Sequence, residues 1–262
     1  VSAVPGIGSI TPHPYFLPVR IGLGLYLQKF HAELSIDTPA LAEFAARDFA
    51  KTLVMAPGRM IDQVGDMLDA WRANDNSGEQ RPVSSLPIMV MALSRDFVPV
   101  APDGGGHAFA DKTAVRIPGD PKQRMFDLRT VSAEVRAQIV IAAHEPLTAQ
   151  SLAMQLHMHA SQSHRRNFPA RYMLAGMVSE WPVSIESTDL LAVASPIDAK
   201  NLTVLAADMT LRVTIPMLSA PRLNAADADG QGTDDMMDPS GYLGVQEVRG
   251  FDPETGLRWV RT

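Results

Sequence analysis

The chain has no cysteine, so disulfides and thiolate-held zinc or iron–sulfur centres are excluded, and composition says nothing about redox compartment. Aromatic residues make up only 6% of it, while the 14 methionines supply soft, adaptable packing surface instead. No apolar run reaches the ~18 residues that a membrane-spanning helix needs. An excess of basic charge is also missing: 23 Lys and Arg stand against 29 Asp and Glu, a net charge of −6. Tight duplex binding requires cations to neutralise phosphates, so this balance argues against it. The densest basic spot, His164-Arg165-Arg166, reads as a solvated helix end near the negative dipole pole. The start Val-Ser-Ala-Val-Pro has no basic segment ahead of an apolar block and is read as carrying no secretory signal.

Several chemical signatures are absent as well. There is no Walker-type Gly-Lys-Ser/Thr and no Gly-x-Ser-x-Gly nucleophile elbow. Gly6-Ile7-Gly8 and Gly22-Leu23-Gly24 are incomplete dinucleotide signatures with no strand–turn–helix around them. Asp103-Gly104-Gly105-Gly106 reads as a loop, and the glycosylation sequon at Asn201 has no meaning without secretion.

What is present is a chain of 262 residues, 46% hydrophobic, enough for one large domain or one domain with arms. Such a domain buries roughly 70–75% of its unfolded surface. Four parts are expected: an extended N-terminal arm over 1–37, a core domain over 38–221, an acidic flexible linker over 222–240 and a C-terminal hairpin arm over 241–262. In the first part, glycines and prolines interrupt the apolar residues and no periodicity emerges. Thr38-Pro39 is a strong helix start, followed by Leu41, Phe44, Phe49 and Leu53 at helical spacing up to Pro57-Gly58. A second helix is expected from about Arg59 to Ala73 and a third over Pro146–His159.

Strands are expected at Leu86–Leu93 (apolar throughout and buried on both faces), Arg124–Thr130 and Val135–Ala143. Further strands are read at Phe168–Val178 and Trp181–Ser187, turning at Ser179-Glu180, and at Asn201–Pro216, where the proline should end the ladder. Most connections are too short for crossovers. The expected fold is therefore α+β: a mainly antiparallel sheet with helices on one face. Leu152, Leu156, Ile139, Ile141, Val204, Leu211, Val213 and Ile215 are expected to be buried between the third helix and the sheet.

The candidate metal ligands are His157, His159 and His164, yet positions i and i+2 of a helix point to opposite sides. His144-Glu145 is followed by Pro146 and lacks the second histidine of the zinc-protease pattern. Asp227, Asp229, Gln231, Gly232 and Asp238 fall at calcium-loop spacing, but Asp stands where the bidentate Glu belongs and Pro239 blocks the exiting helix. No metal, cofactor or catalytic residue is assigned on these grounds. The final segment reads as two short strands around Asp252-Pro253-Glu254-Thr255-Gly256. Two strands are unstable alone in water, so this hairpin needs a surface, with Tyr242, Phe251 and Trp259 as its expected inter-subunit anchors.

From about Met125 to Pro221 the chain carries Arg124-Met-Phe-Asp-Leu-Arg129, Glu134-Val-Arg-Ala-Gln-Ile139, Ser151-Leu-Ala-Met-Gln-Leu156 and the long run from Asp198 to Pro216. In these stretches it resembles virion proteins encoded among the head–tail neck and tail genes of contractile-tailed phages. The resemblance implies a tail-terminator or neck (gateway) protein, a sheet plus helices that forms a homo-oligomeric ring. Such a ring, expected to be hexameric, meets the neck or collar and the tail tube and sheath, sits in the virion after assembly in the bacterial cytoplasm, and is no enzyme. DNA would pass its lumen without specific binding, and no membrane is involved. The competing readings are another tail or baseplate structural protein, or a hydrolase built on carboxylates or on the His157, His159 and His164 region.

Overall fold

The computed structural model describes residues 15–74, 86–101, 113–116, 125–174, 177–187, 190, 192–195, 202–219, 248–251 and 258–261. The strands are β1 (Leu53–Met55), β2 (Ile88–Pro99), β3 (Thr113–Arg116), β4 (Met125–Ala143), β5 (Asn167–Leu174), β6 (Met177–Ile185), β7 (Ala192–Ala194) and β8 (Thr203–Ser219). They form one eight-stranded sheet along the path β1-β2-β4-β8-β6-β5, with β3 added to β4 and β7 to β8. Its spine is the uninterrupted antiparallel pairing of β4 with β8, from Asp127 opposite Ser219 to Ala143 opposite Thr203. All neighbours are antiparallel except β1, which lies parallel to β2. The α+β fold and its mainly antiparallel sheet match the expectation; the helices on one face do not.

Five helices accompany the sheet among the described residues: α1 (Leu17–Ala32), α2 (Pro39–Ala46), α3 (Phe49–Thr52), α4 (Val64–Asn74) and α5 (Pro146–Ser161). Side chains alternate along β4, so odd positions from Ala133 to Ala143 join the core shared with α1, α2 and α5. Val140 and Ala142 face the other way and pack with Val64, Met67 and Leu68 of α4. Helices thus cover both faces, which is why Ile88 to Leu93 are buried without alternation. Val204 follows the same parity. It belongs to the α4 side, whereas Leu211, Val213 and Ile215 face α5 as expected.

The N-terminal segment departs most from expectation. Residues 17–32, expected within an extended arm ending at 37, form α1 and bury Val19, Leu23, Tyr26, Leu27 and Phe30 in the main core. The glycines there mark close approach, not turns. A Cβ on Gly22 would lie 2.7 Å from the Pro169 carbonyl oxygen, and one on Gly24 would lie 2.9 Å from Met55 Cε. With Ile21 and Leu25 left exposed, α1 is apolar nearly all round, and that erased the stripe from the sequence.

Other boundaries shift for local reasons. Thr38 caps α2 through its hydroxyl, which accepts from Leu41 N–H at 3.2 Å. The helix then stops at Ala46, because Asp48 accepts from Ala50 N–H at 3.1 Å and opens the separate turn of α3. Asp62, with φ 69°, divides the expected second helix into a 3₁₀ turn over Gly58–Met60 and α4. The expected strands on either side of Val131 are one 19-residue strand. Ser179 and Glu180 sit inside the β5–β6 ladder opposite Tyr172 and Arg171, and the ladder runs on to the pair Leu174 and Met177. Pro216 remains in β8 opposite Thr130. Thr210 uses its amide and carbonyl toward the β6 side, so by the period of two Pro216 lacks an N–H on that same side. There β6 pairs with β8 only through Val213, so the proline breaks no bond.

At the C-terminus β9 (Val248–Phe251) and β10 (Arg258–Arg261) pair antiparallel as a separate two-stranded sheet.

Candidate functional site

α5 presents its histidines in opposite directions, as helical geometry requires. His157 Nδ1 accepts from the Leu190 amide at 3.3 Å. His159 instead points toward α1, is 6% exposed, and meets Tyr26 and Phe30 edge-on at 5.1 and 5.5 Å. Arg165, at the end of the 3₁₀ turn Ser163–Arg165, gathers the surrounding groups. Its Nη1 donates to His159 Nδ1 at 2.8 Å and pairs with the Glu33 carboxylate, while its Nε donates to His164 Nε2 at 3.1 Å. Burial above all, and then the Arg165 guanidinium, hold the His159 imidazole below its ordinary pKa, with Glu33 acting in the opposite direction.

The cluster therefore brings His159 and His164 together, but around a fixed cation. A guanidinium occupies the position where a metal would be shared, and His159 Nδ1 is committed as an acceptor to it. Among the described residues no group of three or more His, Asp or Glu side chains is arranged to hold a metal. Beside this cluster α1 and the edge strand β5 enclose a cavity of about 370 Å³, lined in part by Gly22, Tyr26, Lys29, Asn167 and Arg171.

A second polar centre lies on the opposite face of β4. Gln138, 3% exposed, accepts from the Asp62 amide at 3.0 Å and donates to Asp208 at 3.2 Å. Arg136 Nη1 and Nη2 donate to the two Asp62 carboxylate oxygens at 2.8 and 2.6 Å, and its Nε and Nη2 reach Asp208 at 3.1 and 2.9 Å. The Asp62 carboxyl is held below its ordinary range chiefly by its hydrogen bond from Arg136. An open cavity of about 670 Å³ adjoins it, where a bulge between Leu93 and Phe97 carries β2 away from its earlier register. Its lining mixes Arg59, Arg95 and Arg136 with Asp62, Asp96 and Glu134. The Ser94 hydroxyl there accepts from the Asp96 amide at 3.0 Å, a local turn contact. Every carboxylate and guanidinium in the Asp62–Arg136–Asp208 set satisfies another, which fits a structural tie between the Asp62 turn and the sheet. Its sequence signal was the polar pair Arg136 and Gln138 interrupting an apolar strand at period two; Asp62 and Asp208, distant in sequence, gave none.

The described surface leaves apolar side chains in patterned positions. Leu147, Met154 and Met158 of α5 are 70%, 62% and 58% exposed and fall within one helical stripe. Val98, Val178 and Met173, also more than half exposed, lie on β2, β6 and β5. Of the expected anchors, Phe251 stands opposite Arg258, and Trp259 opposite Gly250 on the next rung of the terminal hairpin. Tyr242, the acidic segment 222–240 with its calcium-like spacing, Gly6 to Gly8, Asp103 to Gly106 and Asn201 lie outside the described residues. No helix among the described residues is long and apolar enough to cross a membrane. No protein-family model matches the sequence, and no curated protein matches it.

Proposed function

We propose that this chain is a virion structural protein of a contractile-tailed phage, acting as a ring at the head–tail neck or the end of the tail tube. In this reading six copies join the connector or collar to the tail, contact the tube and sheath proteins, and leave a lumen for DNA. The observation that carries it is the self-pairing of β9 with β10, a two-stranded sheet outside the eight-stranded one. Such a ribbon is marginal alone in water and gains stability by lying on a larger surface. A neighbouring subunit supplies that surface in a closed ring, where each contact joins two different patches. Tyr242, Phe251 and Trp259 are the anchors assigned to it, because large aromatics dominate interface energetics.

Two further features support the reading. The exposed apolar stripe on α5 offers subunit contact area. Six copies at −6 each would carry about −36, so an acidic lumen would repel DNA and let it pass.

The test is deletion of residues 241–262. The shortened chain is expected to keep the far-ultraviolet signal and melting behaviour of a folded core while failing to enter particles. Normal incorporation of the shortened chain would remove the basis of this reading.

A further inference from the structure

We propose that the outer face of α1, together with the adjoining parts of β1 and β2, is a docking surface for the acidic segment 234–238 of a second copy of this chain. The choice of a second copy rests on the ring reading; the surface and the chemistry of its occupant do not.

A helix that is apolar on every side belongs in an interior. α1 is apolar nearly all round, yet only one of its sides meets the core, and Ile21 and Leu25 on the other side are exposed. The apolar surface continues past the helix. Met55 of β1 is exposed, and its Cε sits against Gly24, 2.9 Å from where a Cβ there would lie. Tyr15 and Phe97 are exposed as well, and the Phe97 ring meets Phe16 at 5.4 Å. Tyr15, Phe16, Leu17 and Met55 wall an open cavity of about 470 Å³. Apolar side chains exposed singly are ordinary on a protein surface, whereas a joined set of them marks an interaction site.

Charge then selects the occupant. Arg20 and Arg95 line the cavity, and no carboxylate does among the described residues. Neither guanidinium has an ion pair among the described residues, although Arg136, Arg165, Arg171 and Arg212 each have one. An apolar floor flanked by two unneutralised guanidiniums matches a segment that carries carboxylates beside apolar side chains. The chain supplies such a segment in Asp234-Asp235-Met236-Met237-Asp238, and no Lys or Arg stands between Arg222 and Arg249. Carboxylates fit the guanidinium fork, and methionines adapt to an irregular apolar floor. In the ring reading the hairpin 241–262 lies on the next subunit, so the segment just before it reaches the same contact.

The experiment is a fluorescence-anisotropy titration with a labelled, end-blocked peptide of residues 232–240. The receptor is the full chain carrying Asp234→Asn, Asp235→Asn and Asp238→Asn, so that its own segment does not compete. Saturable binding is expected, weakening as salt is added. The peptide with its three Asp changed to Asn, and the one with both Met changed to Ser, should each bind at least about tenfold more weakly. Arg95→Gln and Ile21→Gln in the receptor should each weaken binding several-fold while leaving its melting temperature near that of the unsubstituted receptor. In the parent chain, Met55→p-benzoylphenylalanine should on illumination at high protein concentration give a product of twice the chain mass, joined at the acidic segment. No saturable binding, equal binding of the Asn peptide, or binding unchanged by Arg95→Gln overturns the proposal. So does binding to vesicles of phosphatidylcholine and phosphatidylglycerol in place of the peptide, which would make the face a membrane contact. A cross-link formed only within one chain overturns the second-copy assignment. Peptide binding is read without any ring, so its failure is distinct from a failure of the ring reading, which the particle itself decides.

Discussion

Arg136 and Asp62 form a two-pronged ion pair, with Nη1 to Oδ2 at 2.8 Å and Nη2 to Oδ1 at 2.6 Å, joining residues 74 positions apart in sequence. The pair pins a turn in which Asp62 holds φ 69°, a left-handed conformation that aspartate tolerates better than most residues with a Cβ. Both side chains are substantially exposed, 42% and 62%, so the pair alone contributes only about 0.5–1 kcal/mol. Asp62→Ala loses the pair and adds backbone strain, an expected destabilisation of about 1–2 kcal/mol in urea unfolding. Asp62→Gly loses the pair but relieves the strain, so it should be the milder change. Equal losses in the two variants would show that the backbone conformation contributes nothing.

Acid should expose the same tie in its own pH window. The Asp62 carboxyl titrates below its ordinary value when folded, so its contribution is complete above about pH 5 and declines as pH falls through the depressed folded value. The stability difference between the parent and Asp62→Asn should therefore be constant above about pH 5 and shrink in stronger acid. A difference that persists unchanged to pH 2 contradicts this assignment.

His159 acts in a higher window. Its folded pKa is depressed, first by burial and then by Arg165, so the unfolded chain binds the proton more readily. Stability should fall as pH drops below about 6.5, and the fall should end once pH passes the folded value. Urea midpoints of the parent and His159→Gln, measured from pH 8 to pH 5, check the sign. The parent should lose more stability over that range than the variant.

Packing gives a paired test on α5. Leu156 is fully buried between the helix and the sheet, while Met158 is 58% exposed. Leu156→Ala should cost about 2–5 kcal/mol, and Met158→Ala less than about 0.5 kcal/mol. Similar values for both would show that the buried face of α5 has been misassigned.

Glycine substitutions separate close approach from chain flexibility. Gly22→Ala drives a Cβ to within 2.7 Å of the Pro169 carbonyl oxygen, backbone that cannot rotate away, and should cost about 1–3 kcal/mol. A Cβ on Gly65 meets nothing within 4 Å, so Gly65→Ala should raise stability by about 0.5 kcal/mol through helix propensity. Thermal melts of the two variants should shift in opposite directions.

These residues also show what the sequence made legible. Thr38-Pro39 named the start of α2 because a cap is a local bond, and the period of Leu152 and Leu156 named the inner face of α5 because only one stripe there is buried. The run at Ile88–Leu93 was readable as a strand buried on both faces. That same run implied cover on both sides of the sheet, yet no local pattern said that α4 provides it. Gly22 and Gly24 look like turn residues until the edge strand and Met55 that press on them are known. Asp62 and Glu33 were silent for the same reason, since their partners lie 74 and 132 positions away.

The most direct test of the ring reading is an image of the assembled particle at a resolution that traces this chain. The account predicts six copies closing around the DNA path at the neck or the end of the tail tube, each terminal hairpin seated on the next subunit or an adjoining ring. A single isolated copy, or a lumen lined by Lys and Arg, would contradict it.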